Sequence, residues 1–198
     1  MKFAKLSFEW TTAPQDFIQF WSAFYHFPKE HLYTDRIGKD QFTIDDIENL
    51  FEWKNGTPLS QKKKASLGSI TEKIQIVNKL KGNFNLDTFK KEFSFISAIW
   101  KIYLLHLVVP NSYPIFDQHV CRAFYFLTEK KIKEIPATNQ KKENLYFKSY
   151  IAFFNDLANN GLSRKKVDEA LWALGKFLKT EYGRRIVSHS PNSSTKGD

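Results

Sequence analysis

Residues 94–109, SFISAIWKIYLLHLVV, constrain the fold more than any other segment. Apolar side chains recur on every side of a 3.6-residue period, so a helix here has no face to give to water and has to run through the middle of the protein. Lys101 and His106 interrupt the run, which is too short and too polar to cross a bilayer. Such a helix needs other helices packed around it, each with a narrower apolar stripe. The rest of the chain supplies them. In APQDFIQFWSAFYHF (13–27), Pro14 suits a first helical turn, and Phe17, Phe20, Trp21 and Phe24 fall at helical spacing. In TIDDIENLFEW (43–53), Thr43 is a good N-cap, Asp45 and Asp46 suit the positive helix end, and Ile44, Ile47, Leu50 and Phe51 form the stripe. In RKKVDEALWALGKFLK (164–179), Val167, Leu171, Leu174 and Leu178 lie on one face.

Between these segments the breaks follow turn chemistry. KNGTP ends the second helix, residues 59–80 read as one long amphipathic helix or two, and KGN (81–83) stops them. LDTFKKEF is a short helix, PNSYP (110–114) a turn, and a further helix starts at Asp117 and runs to about 129. A lysine-rich connector over 130–142 leads to a helix in ENLYFKSYIAFFNDLA, and GLS (161–163) is a stop followed by a new cap. Residues 2–10 read as a short strand or extended arm, and 188–198 as a disordered polar tail. The expected fold is all-α, with about eight helices in two small lobes around a basic cleft. One domain spans 1–187, with a central lobe near 43–110. A second lobe covers 116–182 and takes in the N-terminal helix 14–27.

Composition bounds the function. A chain of 198 residues with 42% apolar residues and only 8 Gly and 7 Pro can bury a real core. Thirty basic against 21 acidic residues leave a net charge of +9, which favours a polyanionic partner, nucleic acid first. The lone cysteine, Cys121, rules out a disulfide framework and a Cys-ligated zinc or iron–sulfur site within the chain. Dinucleotide, Walker-type and zinc-protease motifs are absent, and His26, His31, His106 and His189 show no metal spacing. His106 reads as a hydrogen-bonded core histidine. The opening MKFAKLSFEW has no apolar run of signal-peptide length, so a soluble cytoplasmic protein is expected.

YPIFDQHVCRAF (113–124) carries the candidate chemistry. Pro110 and Pro114 bracket a rigid turn, and Asp117 falls at the N-cap of the next helix, with His119 and Arg122 following. There its carboxylate can accept the first-turn amides and sees the positive end of the helix dipole. One reading ends with Asp117 as a cap and His119 and Arg122 as supporting residues. In the other, an aspartate kept ionised at a helix N-terminus is also suited to stabilise developing positive charge.

The segment PIFDQHVCRAF resembles the helix-hairpin-helix DNA glycosylases, the base-excision enzymes related to endonuclease III and 8-oxoguanine glycosylase. Members have an apolar helix, a short loop and then V-D-x-H-V-x-R opening a new helix; Asp117, His119, Val120 and Arg122 match. The resemblance covers residues 94–126 closely and the rest at the level of pattern. It implies that Asp117 is both cap and catalytic carboxylate. It would stabilise the deoxyribose cation as a flipped base leaves, or activate the attacking nucleophile. In bifunctional members a lysine in the preceding helix forms a Schiff base with the sugar. Lys101, 16 positions before Asp117, is the candidate here, and a desolvated amine beside Trp100, Tyr103 and Leu104 would suit that role. Ser94, Ser97 and Lys101 share a helical face; alternatively, Lys101 snorkels to solvent. The family hairpin, L-P-G-V-G-x-x-T-A, corresponds to FSFISAIWK, which has no glycine, so either the hairpin is remodelled or backbone capture of a phosphate is lost.

LFEWKNGTPLSQKKKA (50–65) holds further candidates. Lys54, Lys62, Lys63 and Lys64 suit phosphates. In the glycosylases that the chain resembles, a loop between early helices supplies a side chain that fills the gap left by a flipped base, so the resemblance implies that role for Asn55, whereas turn chemistry favours a plain Asn-Gly turn. His119 and Arg122 join them as nucleic-acid contacts. The expected partner is double-stranded DNA, in a bacterial, nucleoid-associated setting. No metal, small-molecule cofactor or membrane is expected, and the chain is expected to be a monomer. The alternative is a non-catalytic nucleic-acid-binding module that retains the fold.

Overall fold

The structure is a computed structural model and describes residues 9–159 and 161–188. The expected N-terminal strand or arm over 2–10 and the polar tail over 188–198 lie almost wholly outside the described residues. Every regular element among the described residues is helical. In chain order these are α1 (Pro14–Ser22), α2 (His31–Thr34), α3 (Ile44–Asn55), α4 (Gln61–Thr71), α5 (Ile74–Gly82), α6 (Leu86–Glu92), α7 (Ala98–Val108) and α8 (Gln118–Glu129). They continue with α9 (Asn139–Leu145), α10 (Ile151–Ala158), α11 (Arg164–Lys179) and α12 (Glu181–Ser188). A single π turn, Tyr146–Tyr150, joins α9 to α10. None of these helices is long and apolar enough to cross a membrane.

The chain forms two compact units. Among the described residues, one contains α1, α8, α10, α11 and α12, from 9–25, 117–136, 147–159 and 161–188; the other contains α2–α7 and α9, from 26–116 and 137–146. The sequence places 137–146 with the second lobe, but the structure packs them with α7, because Asn139 Oδ1 accepts the Ala98 amide at 3.3 Å and Glu143 reaches Lys101.

In the unit of α2–α7 and α9, α7 is the buried axis that its sequence requires. Trp100 and Ile102 through Val108 are all buried, and the Tyr103 hydroxyl donates to Leu50 O of α3 at 2.9 Å. The helix is shorter than expected, because residues 94–97 form the turn after α6 rather than its first turn. Ser97 is its N-cap and Ser94 precedes it, so neither shares a helical face with Lys101. His106 is a satisfied core histidine, with Nε2 2.8 Å from Tyr33 Oη and Nδ1 2.7 Å from Tyr113 O. At the start of α3, Thr43 Oγ1 accepts the Asp46 amide and Asp46 Oδ2 accepts the Thr43 amide, at 3.2 and 2.9 Å, which closes a reciprocal cap. Gly56, at φ +67°, ends α3 in the left-handed conformation that glycine adopts without steric cost.

In the other unit, α11 is the organising helix. Val167, Leu171, Leu174 and Leu178 are fully buried, as their spacing predicts. Against α11 pack α8, whose Val120, Cys121, Ala123, Phe124 and Phe126 are buried, and α1 with the turn after it, where Trp21 meets Phe177 and Tyr25 meets Trp172 at 5.3 Å each. Burial of each fully buried valine, leucine or phenylalanine here contributes about 1.5–3 kcal/mol. Gly175 lets α8 and α11 touch backbone to backbone: a Cβ there would lie 1.9 Å from His119 O.

Candidate functional site

Asp117 is the N-cap of α8. Its own extended backbone (φ −153°, ψ −172°) turns the side chain onto the first helical turn. Oδ1 accepts the His119 amide at 2.7 Å and the Val120 amide at 3.1 Å. These bonds hold the carboxylate on the first turn, at the positive end of the helix dipole.

Two turns of α8 assemble a second layer beneath the cap. Arg122 is 1% exposed, and its guanidinium is fully engaged inside the unit. Nε and Nη2 donate to Glu134 Oε1 and Oε2 at 3.2 and 2.6 Å, and Nη1 donates to Gly175 O at 2.9 Å. This corrects its expected role as a nucleic-acid contact: Arg122 is the clamp that ties α8 to α11 and to the segment after α8. The bidentate hydrogen bond from Arg122 holds the Glu134 carboxyl below its usual range. His119 is half-buried, with its ring 5.3 Å from the Trp172 ring and Nδ1 3.4 Å from Arg122 Nη1. Burial lowers its pKa, against the pull of Asp117, so the neutral imidazole is favoured. Cys121, one position on, points into the core, where burial pushes its thiol up to about 12.

Glu134, Trp172 and Gly175 are the members of this assembly that the motif does not announce. Glu134 carried a signal, as the lone acid in the lysine-rich stretch 130–142. Gly175 carried another, as a glycine inside an otherwise strong helical pattern.

The remaining candidates lie in the other unit. Lys101 does not snorkel to solvent. Its Nζ is 2.8 Å from Glu143 Oε1, and the two side chains are only 16% and 23% exposed. An amine engaged with a carboxylate in this way is not offered to a substrate carbon. Asn55 is half-buried and closes the turn after α3: its amide donates to Thr57 O and to Thr57 Oγ1, and its oxygen accepts from Lys63 Nζ. Lys54 Nζ lies 5.5 Å from the Tyr103 ring centroid, whereas Lys62, Lys63 and Lys64 stand exposed on the first turn of α4, which Ser60 caps. The structure thus brings Asp117, His119 and Arg122 into one assembly and Asn55 and Lys63 into another.

The five tryptophans divide between core and cavity walls. Trp53 and Trp100 are buried, Trp172 packs on His119 and Tyr25, and Trp10 and Trp21 border an apolar cavity of about 1050 Å³ with Phe17, Phe153 and Phe177. Among the described residues, no three His, Cys, Asp or Glu side chains come together as a metal site. No family, curated protein or solved structure matches this chain.

Proposed function

We propose that the chain is a DNA-binding N-glycosyl hydrolase of the base-excision type, with Asp117 as its essential carboxylate. The observation that carries the reading is the placement of Asp117. It follows a buried helix and a proline-bracketed loop, caps α8 through two short amide bonds, and rests on the Arg122–Glu134–Gly175 clamp. A carboxylate fixed in this way pays its ordering cost during folding, not at the moment of reaction. In the reaction the C1′–N bond of an extruded nucleotide breaks with its electron pair leaving on the base. Asp117 stabilises the cation left on the sugar, water adds to C1′, and the water proton passes to solvent or to the departing base. The exposed lysines at 62–64 and the charge of +9 supply phosphate contacts.

Lys101 has no part in this proposal, because Glu143 holds it. The enzyme would therefore release the base without a Schiff-base step.

A non-catalytic module for nucleic acid is the second reading. It is favoured by the glycine-free turn between α6 and α7, which lacks the open backbone that the glycosylase hairpin turns toward a phosphate. Titration of a labelled duplex at several salt concentrations, with wild type, Asp117→Asn and a Lys62/Lys63/Lys64→Ala triple variant, separates binding from chemistry. The proposal expects Asp117→Asn to bind like wild type and to lose base release, and the triple variant to bind more weakly with a shallower salt dependence. Duplex binding that is absent, or indifferent to salt, would remove both readings.

A further inference from the structure

The turn between α6 and α7, residues 93–97, sends one large apolar side chain into solvent and buries the other two. Phe95 is 50% exposed, whereas Phe93 and Ile96 are 0% and 3% exposed. A single exposed phenylalanine is unremarkable by itself, but this one stands between two buried side chains and has a lysine over its ring. Phe93 and Ile96 anchor the backbone on either side of it. Lys73 Nζ donates to Glu92 O and pairs with Glu92 Oε2, both at 2.9 Å, which pins the end of α6 to the start of α5. The hydrogen bond from Lys73 in turn holds the Glu92 carboxyl below its usual range. The same Nζ lies 5.5 Å from the Phe95 ring centroid.

Lys90 and Lys91 are exposed on the last turn of α6, and the hydroxyl-bearing Ser94 and Ser97 are exposed within the turn. Three lysines against Glu92 leave the surroundings of the ring positive. An exposed ring with the Lys73 ammonium over one face, on a turn whose neighbouring residues carry exposed lysines and hydroxyls, matches what an unpaired nucleotide offers: a base to stack on the other face and an anionic phosphate on either side. Because stacking reads any base, no hydrogen-bonding pattern at the turn is required.

We infer that Phe95 is a stacking platform for an unpaired base of a DNA strand, with Lys73, Lys90 and Lys91 attracting the flanking phosphates. The inference rests on DNA being the partner and adds a contact that distinguishes distorted from fully paired DNA. The test uses the full chain and two labelled duplexes, one fully paired and one with a single unpaired thymine, with binding read by fluorescence anisotropy.

Wild type should prefer the bulged duplex. Phe95→Ala should weaken that complex by about 5- to 150-fold, the range that one base–aromatic stack spans, while leaving the paired duplex within about twofold. Phe95→Trp should retain the preference, which also controls for folding. Equal affinity of wild type for the two duplexes overturns the inference, as does a Phe95→Ala variant that loses the two complexes by the same factor. Wild type that binds neither duplex overturns the DNA-binding reading together with this one, whereas intact paired-duplex binding with an unchanged bulged complex in Phe95→Ala removes this one alone.

Discussion

Gly175→Ala is the perturbation with the most defined consequence. A Cβ at 175 would sit 1.9 Å from His119 O and 2.5 Å from His119 C, both backbone atoms of α8 that no rotamer change can move aside. Restoring an ordinary contact of 3.4 Å requires α8 and α11 to separate by about 1.5 Å at the crossing. That movement stretches the 2.9 Å bond from Arg122 Nη1 to Gly175 O and loosens the packing of Val120 and Leu171. Overpacking of this kind costs about 1–3 kcal/mol, and a buried carbonyl that loses its donor adds about 1 kcal/mol or more, for a total of about 2–4 kcal/mol. In a chain of this size that corresponds to a fall in Tm of about 5–15 °C, measurable by circular dichroism. Gly68→Ala is the control. Its Cβ meets nothing within 4 Å, so in α4 it should be neutral or stabilise by up to about 1 kcal/mol. If Gly175→Ala melted with wild type, the close approach of α8 and α11 would be wrong, and with it the clamp beneath Asp117.

Other outcomes follow from the same assembly. Asp117→Ala should cost about 0.5–2 kcal/mol through loss of the cap, whereas Asp117→Asn, an equally good cap, should melt within a few tenths of a kcal/mol of wild type; urea titrations of the two variants check the difference. Burial lowers the His119 pKa below its unfolded value of 6.5, so the unfolded chain takes up a proton that the folded chain refuses. Stability should therefore fall as the pH drops through 6.5 and level off below the folded pKa, and His119→Gln should flatten that part of the profile. Cys121, buried and with its thiol raised to about 12, should resist a disulfide reagent at pH 8 and react once urea unfolds the chain. Lys101→Ala should cost about 1–3 kcal/mol by leaving Glu143 without its partner, and should leave any base release intact.

The parts of the fold that local rules govern were legible. The cap at Thr43, the stripe of α11 and the cap at Asp117 each depend on residues within a turn or two of one another, whereas the return bond from Asp46 to the Thr43 amide was not foreseen. The start of α7 was not legible, because buried Phe93 and Ile96 look alike whether they belong to a helix or to a turn that dives into the core. Arg122 was misread for a related reason. Arginines are mostly exposed, and only the fold brings Glu134 and Gly175 O to its guanidinium. Lys101 was read as desolvated or snorkelling because Glu143 lies 42 positions away in sequence, where no spacing argument reaches. The two units also interleave in sequence, so the segment 137–146 carries nothing in its composition to say which core it joins.

The central claim is that Asp117 drives removal of a base. The most direct measurement is base release from a panel of duplexes carrying uracil, 8-oxoguanine, alkylated purines, oxidised pyrimidines or an abasic site, with borohydride in a parallel set. The account expects release from at least one lesion by wild type and by Lys101→Ala, none by Asp117→Asn, and no borohydride-trapped adduct. Release that survives Asp117→Asn, or no release from any lesion while salt-dependent binding persists, would contradict it.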